Sequence, residues 1–431
     1  MTPYYPNGGS GNTATGKTQN GREVWQMKMI ERKEYLDWLI RWKEHDLIKV
    51  VSGVRRSGKS TLFELFREYL LNNGLEEGQI ISINFEDIEN ESLLNYRSLH
   101  DYVAKLLTPD KMNYVFLDEI QHVEQFEKAV ISLLIKKNCD VYITGSNAYF
   151  MSGELATLLS GRYVELKILP LSFKEFCEGF DEGEEKLTKT EKFTQYLEQG
   201  SFPYSLKFSL RGREAREYMR DIYNTVLLKD VVARLKIADI TSLENVAKFL
   251  LHNLGGRVSA TKISNTLKTE GRGVDRKTID KYIKGLCDSM IIYETTKYNI
   301  KGKEYLSSPH KYYCVDIALR NMLVGGKESD IGHILENIVF LELTRREEKV
   351  FTGNVGDKEV DFVTVKGNND MSYYQVAATV IDENVLRREL EPLKNIKDHY
   401  PKYILTLDDI GSGSSYDGIM RLNIIDWLLS V

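Results

Sequence analysis

The sequence predicts an α/β protein whose first half is a P-loop NTPase core, a parallel sheet covered by helices on both faces. Three observations predict it. An apolar run, Leu47 to Val51, passes directly into Gly53-Val54-Arg55-Arg56-Ser57-Gly58-Lys59-Ser60-Thr61, the GxxxxGK[ST] pattern, and then into a helical pattern. From Leu47 to Leu169 short apolar runs alternate with helical periodicity, as parallel strands joined by crossover helices require. A further apolar run, Tyr114 to Leu117, ends in Asp118-Glu119, roughly sixty residues after the glycine-rich loop.

Taken in order, strands are expected at Leu47–Val51, Ile80–Phe85, Tyr114–Leu117, Asp140–Ile143 and Tyr163–Ile168, with helices between them. Gly53 and Gly58 let the loop curl until its amides point at the β- and γ-phosphates of a nucleoside triphosphate. Lys59 supplies charge to those phosphates, the Ser60 hydroxyl is a ligand for Mg²⁺, and the helix opening at Lys59 aims its positive end at the anion. Val54, Arg55, Arg56, Ser57 and Thr61 complete the nucleotide-facing set. Arg55 and Arg56 touch phosphate or face solvent, and the sequence assigns neither a further role.

The same pattern recurs at Gly11-Asn-Thr-Ala-Thr-Gly16-Lys17-Thr18, with no apolar strand before it and no amphipathic helix after it. That second match is read as coincidence, and residues 1–26, with little to bury, as a flexible tail.

An apolar strand ending in two acids places a magnesium partner beside a base: Asp118 would hold Mg²⁺ through water, and Glu119 would polarise the attacking water. The fourth strand delivers Thr144-Gly145-Ser146-Asn147 to the same sheet edge. There Asn147, or failing it Ser146, is a candidate to hydrogen-bond the γ-phosphate or the water, the alternative being a capping turn. Arg162, just before the fifth strand, is a candidate to reach a neighbouring subunit's nucleotide, where an arginine stabilises charge on the transferring phosphoryl group; the alternative is an ordinary surface arginine.

Composition sets the limits. A chain of 431 residues should hold two to four domains, and 42% hydrophobic residues suffice for real cores. A formal charge of −5 gives no global basic field, so any nucleic-acid contact must come from a local patch. Cys139, Cys177, Cys287 and Cys314 stand singly, with no CxxC pair, which argues against a zinc site or a disulfide framework. No apolar run approaches the ~18 to 20 residues that span a bilayer, and no charged-then-apolar leader opens the chain; the expected compartment is the cytoplasm, with no membrane partner.

The division expected is a tail at 1–26, a P-loop core at 27–170, a helical lid at 171–242, a winged-helix segment at 243–304 and a separate α/β domain at 305–431. The lid follows from dense charge on long helical patterns after Leu169-Pro170-Leu171-Ser172. In the winged-helix segment Ser259 and Thr278 are each placed to start a short helix, the second of recognition type. Lys262, Lys268, Arg272, Arg276, Lys277, Lys281 and Lys284 make it the strongest local positive field. Lys277, Lys281 and Lys284 fall on one helical face suited to phosphates, with a merely solvated face as the alternative.

These residues resemble the AAA-type ATPases of archaea and bacteria that carry a carboxy-terminal restriction-endonuclease-like domain. The resemblance rests on GVRRSGKST, YVFLDEIQ, YITGSN, LSGRYVELKILPLSFKEF, GSFPY, LLKDVVAR and the late EVDFV with YYQVA, and spans nearly everything after residue 27. It implies an AAA+ core that hydrolyses ATP rather than GTP, a winged helix, and assembly into a ring or partial ring such as a hexamer. Nucleases of the PD-(D/E)xK class join a helix-borne Glu, a strand-borne Asp and an acid-x-Lys pair around a metal. Glu336 and Asp361 fit the first two places, or else satisfy a turn or a cap. Where the last pair belongs, Tyr373-Tyr-Gln375-Val-Ala377 has Gln375 and Ala377. The domain is therefore expected to be nuclease-like without cutting.

Two readings of function follow, both with ATP and Mg²⁺. One is an oligomeric motor acting on duplex or branched DNA. The other is a nucleotide-dependent switch or assembly platform for a protein partner, without DNA.

Overall fold

The computed structural model describes residues 30–145, 157, 159–180, 186–207, 212–302, 304–326, 330–347, 349–367 and 370–430. The amino-terminal tail, the second loop motif, Ser146 and Asn147 lie outside the described residues.

The predicted α/β core is present. Five strands, β1 (Ile48–Ser52), β2 (Ile80–Asn84), β3 (Asn113–Asp118), β4 (Cys139–Gly145) and β5 (Tyr163–Lys167), form one sheet in the order β2-β3-β4-β1-β5. All pairs are parallel, with Ser52 opposite Gly145 and Asn84 opposite Asp118. Every residue of β1, β3 and β4 is buried, as expected of strands covered on both faces. Alternation then divides the side chains. Val115 and Leu117 pack with Val141 and Ile143 toward α3 (Tyr96–Leu106) and α4 (Phe126–Ile135). Tyr114, Phe116 and Tyr142 face α1 (Lys33–Trp42) and α2 (Lys59–Asn72), where Phe116 and Tyr142 stack at 5.0 Å between centroids.

After the core come α5 (Phe173–Gly179), α6 (Lys189–Gln199) and α7 (Arg213–Thr225), the last running into a π-helical segment, Val226–Ala233. Helix α5 opens with a capping box, Ser172 accepting from the Glu175 amide while the Glu175 carboxylate accepts from the Ser172 amide. Helices α8 (Ile240–His252), α9 (Ala260–Thr269) and α10 (Arg276–Asp288) follow. Ser259 caps α9 as the sequence suggests. The second cap is different: Asp275, not Thr278, occupies the N-cap of α10 and accepts both the Thr278 amide and its hydroxyl. Aspartate out-competes threonine there because a charged acceptor suits the helix's positive end.

Strands β6 (Arg257–Val258), β7 (Ile292–Asn299) and β8 (Glu304–Cys314) pair antiparallel as β7-β8-β6. They do not stand alone. Lys297 to Asn299 of β7 pair in parallel with Thr352 to Asn354 of β9 (Lys349–Val355), which continues through β10 (Lys358–Lys366), β11 (Asp370–Val376), β12 (Lys402–Thr406), β14 (Ile419–Asn423) and β13 (Ser415–Tyr416) into one nine-stranded sheet. That sheet therefore runs across residue 304. Helix α11 (Ile317–Val324) packs on α6, α7 and α8, while α12 (Ile331–Arg346), α13 (Glu383–Lys394) and α14 (Ile424–Leu429) cover the sheet, and one apolar core extends from Phe173 and Met219 to Leu286 and Leu335.

Candidate nucleotide-binding site

Strand order builds this site. Because β4 lies between β1 and β3, the phosphate loop leaving β1, Thr144 at the end of β4 and Asp118-Glu119 at the end of β3 open on one edge of the sheet.

The loop is tight. A Cβ on Gly53 would lie 2.5 Å from the Ile168 carbonyl oxygen and 2.8 Å from its Cγ1, so only glycine fits. Gly58, at φ +97°, caps α2 in a left-handed conformation, and Arg56 also has positive φ, at 64°. Lys59, buried, donates to the carbonyls of Gly53 (3.1 Å) and Val54 (3.4 Å) and lies 3.4 Å from Glu119. The Ser57 hydroxyl is buried without a hydrogen-bond partner among the described residues. Ser60 and Thr61 are exposed on the first turn of α2.

The acids are held by a residue to which the sequence had given no role. Thr144, fully buried, donates its hydroxyl to Asp118 and accepts the Glu119 amide at 2.9 Å. Burial pushes the Asp118 carboxyl above its usual range, against the Ser60 and Thr144 hydroxyls that donate to it. Glu119 has φ 54°, a conformation costly for a non-glycine residue, and accepts from the Gln121 amide group at 2.5 Å. The only signal for Thr144 was a polar residue closing an apolar strand.

A buried orphan hydroxyl in a loop only glycine can shape, an adjacent ammonium, and a hydroxyl bonded to a carboxylate fit a triphosphate with a hard divalent cation. Ser60 and Asp118 would be the oxygen donors for such a cation.

The remaining loop residues face the helices that follow the core. Arg55 binds Asp230 through Nε, at 3.1 and 3.0 Å, and Glu86 through Nη1, at 2.8 Å. Arg56 lies over the Tyr218 ring, 5.3 Å from its centroid. Val54 is fully buried in the core that includes Phe173 and Phe202. Arg162 is not brought to this site. Its carbonyl accepts the Ile48 amide at the opposite end of β1, and its side chain is exposed.

Residues 45–177 match the family model described as an AAA domain, and residues 190–330 match a domain of unknown function, DUF8612. An uncharacterised protein of Haemophilus influenzae is 39% identical over 402 residues, covering 93% of this chain and 99% of that one. An uncharacterised protein of Methanocaldococcus jannaschii is 30% identical over 383 residues, 84% of this chain and 83% of that one. The chain belongs to the family of these two proteins. Among solved structures, AMPPCP-bound DnaA of Aquifex aeolicus is similar at 14% identity and a TM-score of 0.31, over 60% of this chain and 88% of that chain.

Two further clusters lie outside the phosphate loop. On α10, Ile279, Tyr282, Ile283 and Leu286 are buried while Arg276, Lys277, Lys281 and Lys284 are exposed, as are Lys262, Lys268 and Arg272. Lys281 is partly committed, donating to the Leu235 carbonyl at 3.0 Å, and Arg276 faces Asp280 at 3.8 Å.

The second cluster gathers Glu336, Asp361 and Gln375. The Asp361 amide donates to the Gln375 side chain at 3.4 Å, and Gln375 donates to Glu389 of α13 at 2.9 Å. Lys311 of β8, buried, binds Glu336 at 2.8 Å and Glu359 at 2.5 Å, and the Tyr313 hydroxyl also donates to Glu336 at 2.8 Å. An ammonium and a further carboxylate therefore adjoin the residues where the β11 sequence offers only Gln375 and Ala377. Sequence reasoning missed Lys311 and Glu389, which come from other elements. Burial and the Glu336 charge raise the Asp361 carboxyl to about 8, whereas Lys311, against burial, holds Glu336 below its usual range. No described helix is long and apolar enough to cross a membrane.

Proposed function

We propose that this protein binds and hydrolyses Mg·ATP at the phosphate loop and couples the cycle to DNA. The observation that carries the reading is the meeting of Lys59 with Glu119, 3.4 Å apart, beside an Asp118 anchored by Thr144. Lys59 and the loop amides would hold the β- and γ-phosphates, and Ser60 and Asp118 would hold Mg²⁺, which when bound neutralises phosphate charge. Glu119 accepts a proton from the attacking water as the new O–P bond forms; the bond from Pγ to the bridging oxygen breaks, and its electron pair leaves with ADP. Lys59→Ala should greatly weaken nucleotide binding, and Glu119→Gln should keep binding and stall turnover. A Glu119→Gln protein with normal turnover refutes the base assignment.

Arg162, exposed at the far end of β1 and β5, is suited to a neighbour's nucleotide in a homo-oligomer. Mixing Arg162→Ala with Glu119→Gln chains tests that placement. The segment 243–304 is read as a winged helix whose Lys277, Lys281 and Lys284 face, with Arg272 and Arg276, meets phosphates. Residues 305–431 are read as a nuclease-like platform that does not cut, because Gln375 and Ala377 stand where the acid-x-Lys pair belongs. The DNA reading is tested by recording ATPase rate and salt-dependent binding over duplex and branched DNA; no stimulation and no binding at low salt refutes it.

A second reading, a nucleotide-dependent switch for a protein partner, is favoured by one observation: the lid grips the phosphate loop through Asp230 and Tyr218. Partner exchange between ATP and ADP states with no DNA effect would decide for it.

A further inference from the structure

Arg55 occupies the middle of the loop, and its guanidinium is only 13% exposed. Its Nε and Nη1 are bound by Asp230 and Glu86, while Nη2 makes no hydrogen bond among the described residues. A guanidinium carries five N–H donors, so two on one nitrogen are left for a planar oxygen acceptor. Burial disfavours its charge, yet the carboxylates of Asp230, Glu86 and Glu119 outweigh burial. Arg55 thus lies in the field of the residue expected to activate water.

Asp230 comes from 175 residues away in sequence, on the π-helical segment Val226–Ala233, with its side chain 2% exposed. An acid so buried is costly without a partner, and burial raises its pKa against the pull of Arg55 and Lys59, with Glu119 adding to the rise. A wide helical turn places the acid there, as π-segments do at functional sites. Tyr218, on the helix that leads into this segment, meets the neighbouring Arg56 at 5.3 Å. Two consecutive arginines of the phosphate loop are thereby held by the lid.

We propose that Arg55 stabilises the charge developing on the γ-phosphoryl group within its own subunit, and that Asp230 is the positioning residue that aims it, so hydrolysis requires this lid segment docked on the phosphate loop. The proposal rests on the reading of the loop as an ATP site. It distinguishes Arg55, acting in its own chain, from Arg162, suited to a neighbour's.

The test measures, on the full chain, affinity for Mg·ATP, turnover, and affinity for Mg·ADP with aluminium fluoride, which imitates the planar phosphoryl group in transfer. Arg55→Ala should lower kcat by about 10³-fold, the lower end of what such an arginine supplies, with Mg·ADP affinity nearly unchanged and the fluoride-dependent tightening lost. Asp230→Asn should lower kcat on the order of 10²-fold through misplacement alone, with KM little changed and the same loss of tightening. Arg55→Lys should not restore either, because an ammonium lacks the fork. Mixing Arg55→Ala with Lys59→Ala chains should not recover turnover. Recovery by the mixture, or full tightening with fluoride in Arg55→Ala or Asp230→Asn, overturns the proposal while leaving the ATP site standing. Wild-type protein that binds no Mg·ATP overturns both.

Discussion

Thr144→Val tests whether the acids at the end of β3 work as one unit. Valine keeps the shape of threonine, so no cavity opens at this fully buried position and only hydrogen bonds are lost. Two are lost together: the donor to Asp118 and the acceptor for the Glu119 amide at 2.9 Å. A bond to a charged group contributes about 1.5–3 kcal/mol and an orphaned buried amide costs about 1–3 kcal/mol, so the variant should lose about 2.5–6 kcal/mol. At about 2–4 °C per kcal/mol for a domain of this size, its Tm should fall by roughly 5–25 °C. The Asp118 carboxyl is already raised by burial, and the Thr144 hydroxyl is one of two groups opposing that rise. Removing it favours the protonated form further, so the acid limb of the pH–rate profile should move to higher pH. Because Glu119 keeps its left-handed backbone only while its amide is held, kcat should also fall, on the order of 10²-fold. Thermal unfolding and steady-state phosphate release from mildly acidic to mildly alkaline pH measure these together. An unmoved acid limb with normal kcat would show that Asp118 and Glu119 do not depend on Thr144, and the account of the site would be wrong.

Gly53→Ala should leave the sheet folded but weaken nucleotide binding about tenfold or more, since a methyl 2.5 Å from a backbone carbonyl forces the loop open at a typical overpacking cost of about 1–3 kcal/mol; titration with Mg·ATP measures it. Lys311→Met should destabilise the carboxy-terminal unit by about 3–5 kcal/mol in chemical denaturation, because Glu336 and Glu359 then share a buried site without their cation. Asp361→Asn should gain stability over wild type as pH rises. Between its ordinary 3.8 and about 8, Asp361 is protonated when folded and ionised when unfolded, so wild-type stability falls with pH across that window by up to about 1.4 kcal/mol per unit. Equal pH dependence of the two Tm curves would refute the assignment.

The five core strands were legible to within one or two residues because each is a short run rich in apolar residues and bracketed by loop or helix signals, with β1, β3 and β4 buried on both faces. The phosphate loop and Asp118-Glu119 were legible because their chemistry is local: backbone curl, a lysine, a strand end. What escaped were the long-range contacts beyond the meeting of the phosphate loop with Asp118-Glu119. Thr144 could be seen, but its meeting with Asp118 depends on β4 lying between β1 and β3, an order no local pattern encodes. The pairing of β7 with β9 escaped for the same reason, and with it the continuity of the sheet past residue 304. Two residues did leave a trace. Asp230 interrupts the apolar run Val226-Leu-Leu-Lys-Asp-Val-Val-Ala, and Lys311 sits two residues before the buried Tyr313, on the same face of its strand. A charge placed where the period demands an apolar residue is a prediction of a buried partner, and here both partners exist: Arg55 in one case, Glu336 in the other. In both, the charge joins parts of the chain that no local element connects, the π-helical segment to the phosphate loop and β8 to α12. Charges on buried faces are thus this sequence's record of how its units are fastened together, and the fastening at Arg55 lies where hydrolysis would be felt first.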